Sequence, residues 1–225
     1  MNSVAWPCPA PGGTGEEFAL VAGPRDAAAR VLIVPALFEE ANRTRRMLVE
    51  TMRALAEAGV ASVLPDLPGC NESLAPLELQ SLTNWRDAMT AAAGHFNATH
   101  ILTLRGGALL SPDLPGWRFE PVHGAQALRP MLRARTVAAR EQSRAETMDG
   151  LLAQAREHGI ELTGYRLGAA MVHDLEAAKA VDCAGQATLT LDELGGAALW
   201  LRREPGEDAG LSAALAARIA ADLAP

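Results

Sequence analysis

The sequence has few aromatic residues and few cysteines, and each shortage excludes a class of protein. Phenylalanine, tryptophan and tyrosine together make up 4% of the 225 residues, which favours helices packed on a sheet over an all-β fold. The three cysteines (Cys8, Cys70 and Cys183) are odd in number and far apart, so they provide neither a zinc-site spacing nor a paired disulfide framework. We therefore expect no metal ion, no cofactor and a reduced, cytoplasmic setting.

Long apolar runs and an excess of basic charge are also lacking. No run reaches the roughly 18 uncharged apolar residues that a membrane-spanning helix requires, and residues 1–11 lack the basic start and apolar centre of a signal peptide. The formal net charge of −7 disfavours binding to nucleic acid or to an anionic membrane. We expect a soluble protein without nucleic-acid partners and without membrane insertion.

The first half of the chain alternates between strand and helix patterns. Apolar runs at 30–35, 60–65 and 99–104 are typical of buried parallel strands, and helical patterns over 41–58 and 81–94 lie between them. This order predicts an α/β fold with a doubly wound, mostly parallel sheet and helices on both faces. Before it, the Pro- and Gly-rich residues 1–15 predict an irregular lead-in, and residues 18–22 a short edge strand.

The second half is more polar and its elements are less distinct. Residues 125–165, with a break expected at Gly150, predict a helical cap segment within a single domain spanning 1–225. The remaining expectations are a weak strand at 117–122, a helix at 167–180, late strands at 187–191 and 197–201, and a final helix at 211–223. Trp200, in the last of these strands, could mark either the core or the edge of a homodimer.

One stretch, residues 100–110, predicts a strand that turns sharply into a helix at Gly106 and Gly107. α/β hydrolases hold their nucleophile at such a turn, in the pattern small-x-Ser-x-Gly. Here that frame reads Thr103-Leu104-Arg105-Gly106-Gly107. Arg105 therefore stands where a hydroxyl or thiol is expected.

Other segments extend the resemblance to α/β hydrolases. Residues 35–40 follow an apolar strand, as the oxyanion loop of that family does, and residues 66–73 resemble its Asp-x-x-Gly-x-Gly-x-Ser loop. More specifically, segments 39–47, 64–70 and 104–110, with Gly164-Tyr165-Arg166-Leu167, resemble the exosortase A system-associated hydrolases of the type 2 group. The resemblance covers roughly residues 30–170, and it implies a role beside bacterial exopolysaccharide and exosortase machinery.

A serine-hydrolase triad needs a nucleophile, a histidine base and an acid. The Arg105 guanidinium stays protonated and cannot act as a nucleophile. In this fold the histidine follows the last strand, yet the five histidines end at His173. We therefore expect a protein that has lost the triad.

Several residues are candidates for the missing catalytic groups. A catalytic Cys70–His123 pair is conceivable. The preferred interpretation is that Cys70 is an inert small residue and that His123 is a loop or helix-cap residue. Ser111 lies too far beyond the turn to be the nucleophile. Asp66 and Glu72 might pair, but acids in loops are usually solvated or cap a helix.

Arg105 itself allows two interpretations. Because the loop after residue 35 and the turn at 105 face each other in this fold, we expect an ion pair from Arg105 to Glu39 or Glu40. Alternatively, Arg105 could clamp an anionic ligand with help from backbone amides at a helix N-terminus. The candidate ligand-binding residues are Phe38, Glu39, Glu40, Asn42, Arg105, Gly106 and Gly107.

Two arginine-rich segments, at 43–46 and 129–144, are interpreted as solvated helix faces rather than a binding stripe.

The functional hypothesis is a non-catalytic or anion-binding accessory of exosortase or exopolysaccharide pathways. The competing hypothesis is an active hydrolase or acyl-transfer enzyme that uses an unorthodox nucleophile such as Cys70. A third is a subunit that forms a homodimer through an edge strand.

Overall fold

The computed structural model describes residues 1–10 and 13–224. Its centre is a seven-stranded sheet in the order β1-β2-β4-β3-β5-β6-β9. The strands are β1 (Asn2–Ala10), β2 (Gly13–Ala22), β3 (Arg30–Val34), β4 (Ala61–Pro65), β5 (His100–Leu104), β6 (Gly116–Phe119) and β9 (Gln186–Leu189). β1 and β2 run antiparallel, and β4, β3, β5, β6 and β9 run parallel to one another. The predicted α/β fold with a mostly parallel sheet is confirmed.

Helices cover both faces of this sheet. They are α1 (Glu39–Glu57), α2 (Leu82–His95), α3 (Gly124–Glu141), α4 (Met148–His158), α5 (Ala169–Ala177), α6 (Leu191–Leu194) and α7 (Ala209–Asp222). Side chains alternate along β3, so that Val31 and Ile33 join the core under α1 and α7 while Leu32 and Val34 join the core under α2. Both cores are closed to solvent, as expected of parallel strands buried on two sides.

The predicted irregular lead-in at residues 1–15 is wrong. Residues 2–10 form strand β1, which pairs with β2 from Asn2 opposite Val21 to Ala10 opposite Gly13. Pro7 and Pro9 suggested a loop, but proline is tolerated on an edge strand, where its missing amide costs no ladder hydrogen bond. The short edge strand expected at 18–22 is the second half of β2, which lies inside the sheet between β1 and β4.

The predicted break at Gly150 is also misplaced. The helical region separates at residues 142–147, where Ser143 has a φ of 58°. Gly150 lies in the first turn of α4, and its amide donates to the side chain of Thr147, the N-cap residue. After α4, a small hairpin of β7 (Ile160–Leu162) and β8 (Tyr165–Leu167) completes the segment that was predicted as a cap.

The expected strand at 197–201 is absent from the part of the chain that the structure describes. Leu199–Leu201 form a 3₁₀ turn, with Leu199 and Trp200 buried in the α1–α7 core. A short apolar run does not distinguish a strand from a buried turn. Of the two alternatives for Trp200, the structure therefore supports the core, since the residue does not lie on an edge strand.

Candidate functional site

The turn after β5 is held in a strained conformation. Arg105 has a φ of 53°, which a bulky residue adopts only where the surroundings enforce it. A Cβ atom on Gly107 would lie 2.3 Å from the carbonyl oxygen of Pro35, and one on Gly106 would lie 2.9 Å from Leu37 Cγ. The two glycines thus allow the turn to pack directly against the loop between β3 and α1.

The turn does not open an α-helix as the sequence predicted. Arg105–Leu110 form a six-residue 3₁₀ helix, which ends where Ser111 adopts an extended backbone before Pro112. A residue that precedes proline is disfavoured in the helical region, so the segment cannot continue as a helix. The anion site expected at a helix N-terminus therefore lacks the long helix that would supply its dipole.

The guanidinium of Arg105 is paired within the protein. Its Nε donates to Glu40 Oε2 and its Nη2 donates to Glu40 Oε1, both at 3.1 Å. Its Nη1 makes a longer contact of 3.4 Å with the carbonyl oxygen of Glu120, and Cζ lies 4.6 Å from the ring centroid of Trp200. The ion pair predicted between Arg105 and Glu39 or Glu40 is present, with Glu40 as the partner.

This ion pair is largely shielded from water, because the Arg105 and Glu40 side chains are 13% and 14% exposed. It bridges the carboxyl ends of β3 and β5, the point at which open α/β sheets place their ligands. Glu39, the other predicted partner, instead accepts from Arg43 at 2.8 Å.

The residues considered as substitute catalytic groups have structural partners. Ser111 Oγ donates to the Pro112 carbonyl oxygen and accepts from Gln186 Nε2. His123 is the exposed N-cap residue of α3, and its Nδ1 accepts from the Ala180 amide. Both therefore support the preferred, non-catalytic interpretation.

All five histidines lie in the described part of the chain, and none lines the cavity at the carboxyl ends of β3 and β4. His95 packs against Trp6 and Phe96, His100 stacks on Trp117, and His173 contacts the Arg156 carbonyl oxygen. Burial lowers the pKa of His100. His158 is exposed at the end of α4.

A cavity of about 460 Å³ lies at the carboxyl ends of β3 and β4. Its walls come from the β3–α1 loop, the first turn of α1, the loop after β4 and the β7–β8 hairpin. Its lining residues include Ala36, Phe38, Ala41, Asn42, Leu67, Cys70, Leu77 and Tyr165. The volume falls in the range typical of small-molecule sites.

Phe38 forms an aromatic wall of this cavity. Its backbone has φ 55° and ψ −128°, and its ring lies 5.7 Å from Trp85 and 5.6 Å from Tyr165, measured between ring centroids. Non-glycine residues in such strained regions persist where the surrounding structure over-determines them, and they cluster at functional sites. The predicted site residues Phe38 and Asn42 thus meet here, whereas Arg105 and Glu40 lie apart in their ion pair.

Tyr165 and Asn42 supply the polar groups of the cavity. Asn42 Nδ2 donates to the Tyr165 hydroxyl at 2.9 Å. Burial raises the pKa of Tyr165 to about 12, with Cys70 and Glu39 adding to the rise. The hydroxyl therefore keeps its proton, and that proton remains able to donate.

Cys70 lies in the cavity wall, but its thiol is poorly suited to nucleophilic chemistry. Burial raises its pKa to about 12, and the carboxylates of Asp66 and Glu17 add to the rise. A reactive thiol needs a lowered pKa and a cationic neighbour. Cys70 and His123 do not form the pair considered from the sequence, because the His123 ring is engaged with the Ala180 amide on another part of the surface.

Asp66 is not the solvated loop acid that the sequence suggested. It is buried and accepts from Arg45 Nη1 and Asn71 Nδ2, each at 2.9 Å. One acidic neighbour is Glu17 on β2, and Glu72 lines the same pocket as Asp66. The two arginine-rich segments include several further ion pairs of this kind: Arg43–Glu39, Arg46–Glu207 and Arg135–Glu146.

Glu17 was not identified from the sequence, because it falls between the lead-in predicted at 1–15 and the strand predicted at 18–22. It is buried, its Oε1 accepts from Ser73 Oγ at 2.7 Å, and its Oε2 has no hydrogen-bond partner among the described residues. Burial raises the pKa of Glu17, the Ser73 hydrogen bond opposes the rise, and Asp66 adds to it. Ser73 Oγ also accepts from the amides of Gly69 and Ala75, so Glu17 anchors the loop that carries Cys70.

Within residues 1–10 and 13–224, no helix is long and apolar enough to cross a membrane. Over the same ranges, no group of three or more His, Cys, Asp or Glu side chains is placed to hold a metal ion.

Solved structures of α/β hydrolases resemble this chain. Est1E from Butyrivibrio proteoclasticus, solved with ferulic acid bound, has a TM-score of 0.53 and 15% identity over 78% of this chain and 74% of its own. A putative hydrolase from Agrobacterium vitis S4 has a TM-score of 0.48 and 16% identity over 61% of this chain. Epoxide hydrolase A from Mycobacterium thermoresistibile has a TM-score of 0.42 and 16% identity over 58%.

The match to Est1E, together with the strand order, shows that the chain has the α/β-hydrolase fold. At 15% identity it shows the fold alone. The chain spans 60% of the length of the Agrobacterium protein and 45% of the epoxide hydrolase. No family model matches the chain, and no curated protein sequence matches it.

Proposed function

We propose that this chain is a non-catalytic protein with the α/β-hydrolase fold, which binds a small ligand in the cavity beside Phe38 and Tyr165. The observation that carries the proposal is the Arg105–Glu40 ion pair, which fills the place where the fold holds its nucleophile and its oxyanion loop. A guanidinium supplies neither a nucleophile nor a base.

The absence of a suitable base among the described residues supports the same conclusion. Each of the five histidines is either exposed or packed at a structural position, and none lines the cavity. General-base catalysis needs a proton acceptor within hydrogen-bond reach of the nucleophile. A Cys70 thiol with a pKa of about 12 would have to react without one.

The sequence also allowed an anionic ligand at Arg105. Such an anion would have to displace Glu40, which already accepts two hydrogen bonds from the guanidinium. The cavity requires no such exchange, and it is lined by Phe38 in a strained backbone conformation. The proposed ligand site is therefore the cavity.

The pathway part of the proposal rests on the resemblance of segments 39–47, 64–70 and 104–110 to exosortase A system-associated hydrolases. On that basis the protein acts in the bacterial cytoplasm as an accessory of exopolysaccharide or exosortase pathways. Genes for polysaccharide synthesis and protein sorting beside this one would support the assignment, and their consistent absence would contradict it.

A homodimer through an edge strand remains a separate proposal. The edges of the sheet are β1, in which Pro7 and Pro9 have no amide to offer a partner strand, and the four-residue β9. Gel filtration with light scattering measures the mass directly: a dimer would support this proposal, and a monomer would contradict it.

The competing activity is acyl transfer through Cys70, which does line the cavity. Purified protein and its Cys70→Ala variant should be assayed against p-nitrophenyl esters and acyl thioesters. The proposal predicts background rates for both proteins. Turnover by the wild type that the Cys70→Ala variant lacks would establish the enzyme instead.

A further inference from the structure

We infer that the cavity takes an uncharged ligand, with an apolar, flat body and an oxygen atom that accepts a hydrogen bond from Tyr165. This inference rests on the proposed function, because it names the class of ligand for the same cavity. It differs from the anion expected from Arg105, and it follows from the chemistry of the walls.

The interior of the cavity offers apolar surface and neutral polar groups. Ala36, Leu67 and Leu77 contribute aliphatic surface, and the Phe38 ring contributes an aromatic face. The neutral polar groups of the cavity include the Tyr165 hydroxyl, the Asn42 amide and the Cys70 thiol, and the exposed Glu78 adds a carboxylate to the lining. With the pKa values of Tyr165 and Cys70 raised to about 12, the hydroxyl, the amide and the thiol are uncharged at neutral pH.

The cations near the cavity are already paired or lie at its mouth. Arg166 is 72% exposed and lies 3.5 Å from Glu161, so water screens it. Arg45, behind the wall, is bound to Asp66. A carboxylate or phosphate inside the cavity would thus lose its hydration without gaining an unpaired cation, which is unfavourable.

Acidic groups behind the wall oppose anions further. Burial is the main cause of the raised pKa of Cys70, and the carboxylates of Asp66 and Glu17 add to it, so a negative ligand at this wall would meet the same two costs. A neutral ligand avoids this repulsion and still uses the hydrogen-bond proton of Tyr165.

Tyr165 fixes the orientation of such a ligand. Its oxygen already accepts from Asn42, so the hydroxyl proton is the group left for a ligand carbonyl or hydroxyl oxygen. Its ring also packs edge-on to Phe38 at 5.6 Å. A flat apolar group lying against Phe38 would bring an attached oxygen toward the Tyr165 hydroxyl.

Benzamide and benzoate test this inference, since they have nearly the same shape and differ in charge. Binding to the full chain at pH 7.5 should be measured by ligand-observed NMR titration. We expect benzamide to bind at least about tenfold more tightly than benzoate, because burying an unpaired carboxylate costs more than the 1.4 kcal/mol that corresponds to tenfold.

Two variants and one control variant locate the binding. Ala41→Phe places a ring in the cavity and should abolish benzamide binding, whereas Ala213→Phe on the exposed face of α7 is the matched control and should not change it. Tyr165→Phe keeps the ring and removes the hydroxyl, and should weaken benzamide about fivefold.

The outcomes separate the two proposals. Benzoate binding as tightly as benzamide, with both lost in Ala41→Phe, would overturn the uncharged-ligand inference and leave the cavity as the binding site. No binding of either probe at millimolar concentration, or binding that Ala41→Phe does not affect, would overturn both the inference and the proposed site.

Discussion

Arg105 and Glu40 are joined by two parallel hydrogen bonds of 3.1 Å across the carboxyl ends of β5 and β3. The arginine stands where the fold holds a nucleophile, and the glutamate stands in the first turn of the helix that follows the oxyanion loop. The aromatic face of Trp200 covers the guanidinium. Under the proposed function, this contact is structural rather than catalytic.

Breaking this contact from one side should destabilise the protein. Glu40→Gln leaves the shielded guanidinium of Arg105 without its counter-charge, and we expect a loss of about 3 kcal/mol in the free energy of unfolding. Urea denaturation measures it. The matched control is Glu50→Gln, in an exposed pair with Arg53, for which we expect a change within about 0.5 kcal/mol.

A double variant separates charge from packing. Replacing both residues by methionine removes both charges and should recover most of the stability lost by Glu40→Gln, because no unpaired charge remains. If Glu40→Gln lowers the free energy of unfolding no more than Glu50→Gln does, the ion pair does not stabilise the turn.

The buried carboxyl of Glu17 predicts a pH dependence of stability. Its pKa is raised in the folded state above the value of 4.5 in the unfolded chain, so the folded protein binds more protons in the interval between the two values. Stability should therefore fall as the pH rises from about 4.5 through the folded pKa. Glu17→Gln should remove this part of the loss of stability and give a higher melting temperature at pH 7.

Melting temperatures between pH 4 and pH 8 check this prediction, with Glu16→Gln on the same strand as the control because Glu16 is exposed. The control should follow the wild-type curve. Parallel curves for wild type and Glu17→Gln would mean that Glu17 titrates normally in the folded protein.

Much of the central sheet could be predicted, since β3, β4 and β5 are continuous apolar runs, which are typical of strands buried on both faces. The Arg105–Glu40 contact followed from the expected meeting of two loops at the sheet edge. The β1–β2 hairpin was missed because its prolines and glycines imitate a loop, although an edge strand tolerates proline.

The cavity could be predicted only in part. Phe38 and Asn42 were identified, since they follow a strand at the ligand-binding edge. Glu17 and the Tyr165–Asn42 hydrogen bond depend on long-range packing: Tyr165 lies 123 residues from Asn42, and Glu17 lies 56 residues from Ser73. No local pattern carries such contacts.

The thiol of Cys70 should react slowly. A rise in its pKa from 9.0 to about 12 lowers the thiolate fraction at pH 8 by about a thousandfold, and the thiolate is the reactive form. Iodoacetamide labelling followed by peptide mass spectrometry gives the rate at this residue. The same residue in urea-unfolded protein is the reference. Equal rates in both states would contradict the raised pKa, and a faster rate in the folded protein would show that Cys70 is an activated nucleophile.

The central claim is that the site lacks a histidine base as well as a nucleophile, and one measurement tests it directly. Hydrolysis of p-nitrophenyl acetate should be compared between the wild type and Arg105→Ser, with circular dichroism to verify the fold. We expect both to remain at the background rate, because a serine at 105 would have no histidine to take its proton. Turnover above background by the wild type, or turnover gained by Arg105→Ser, would contradict this account.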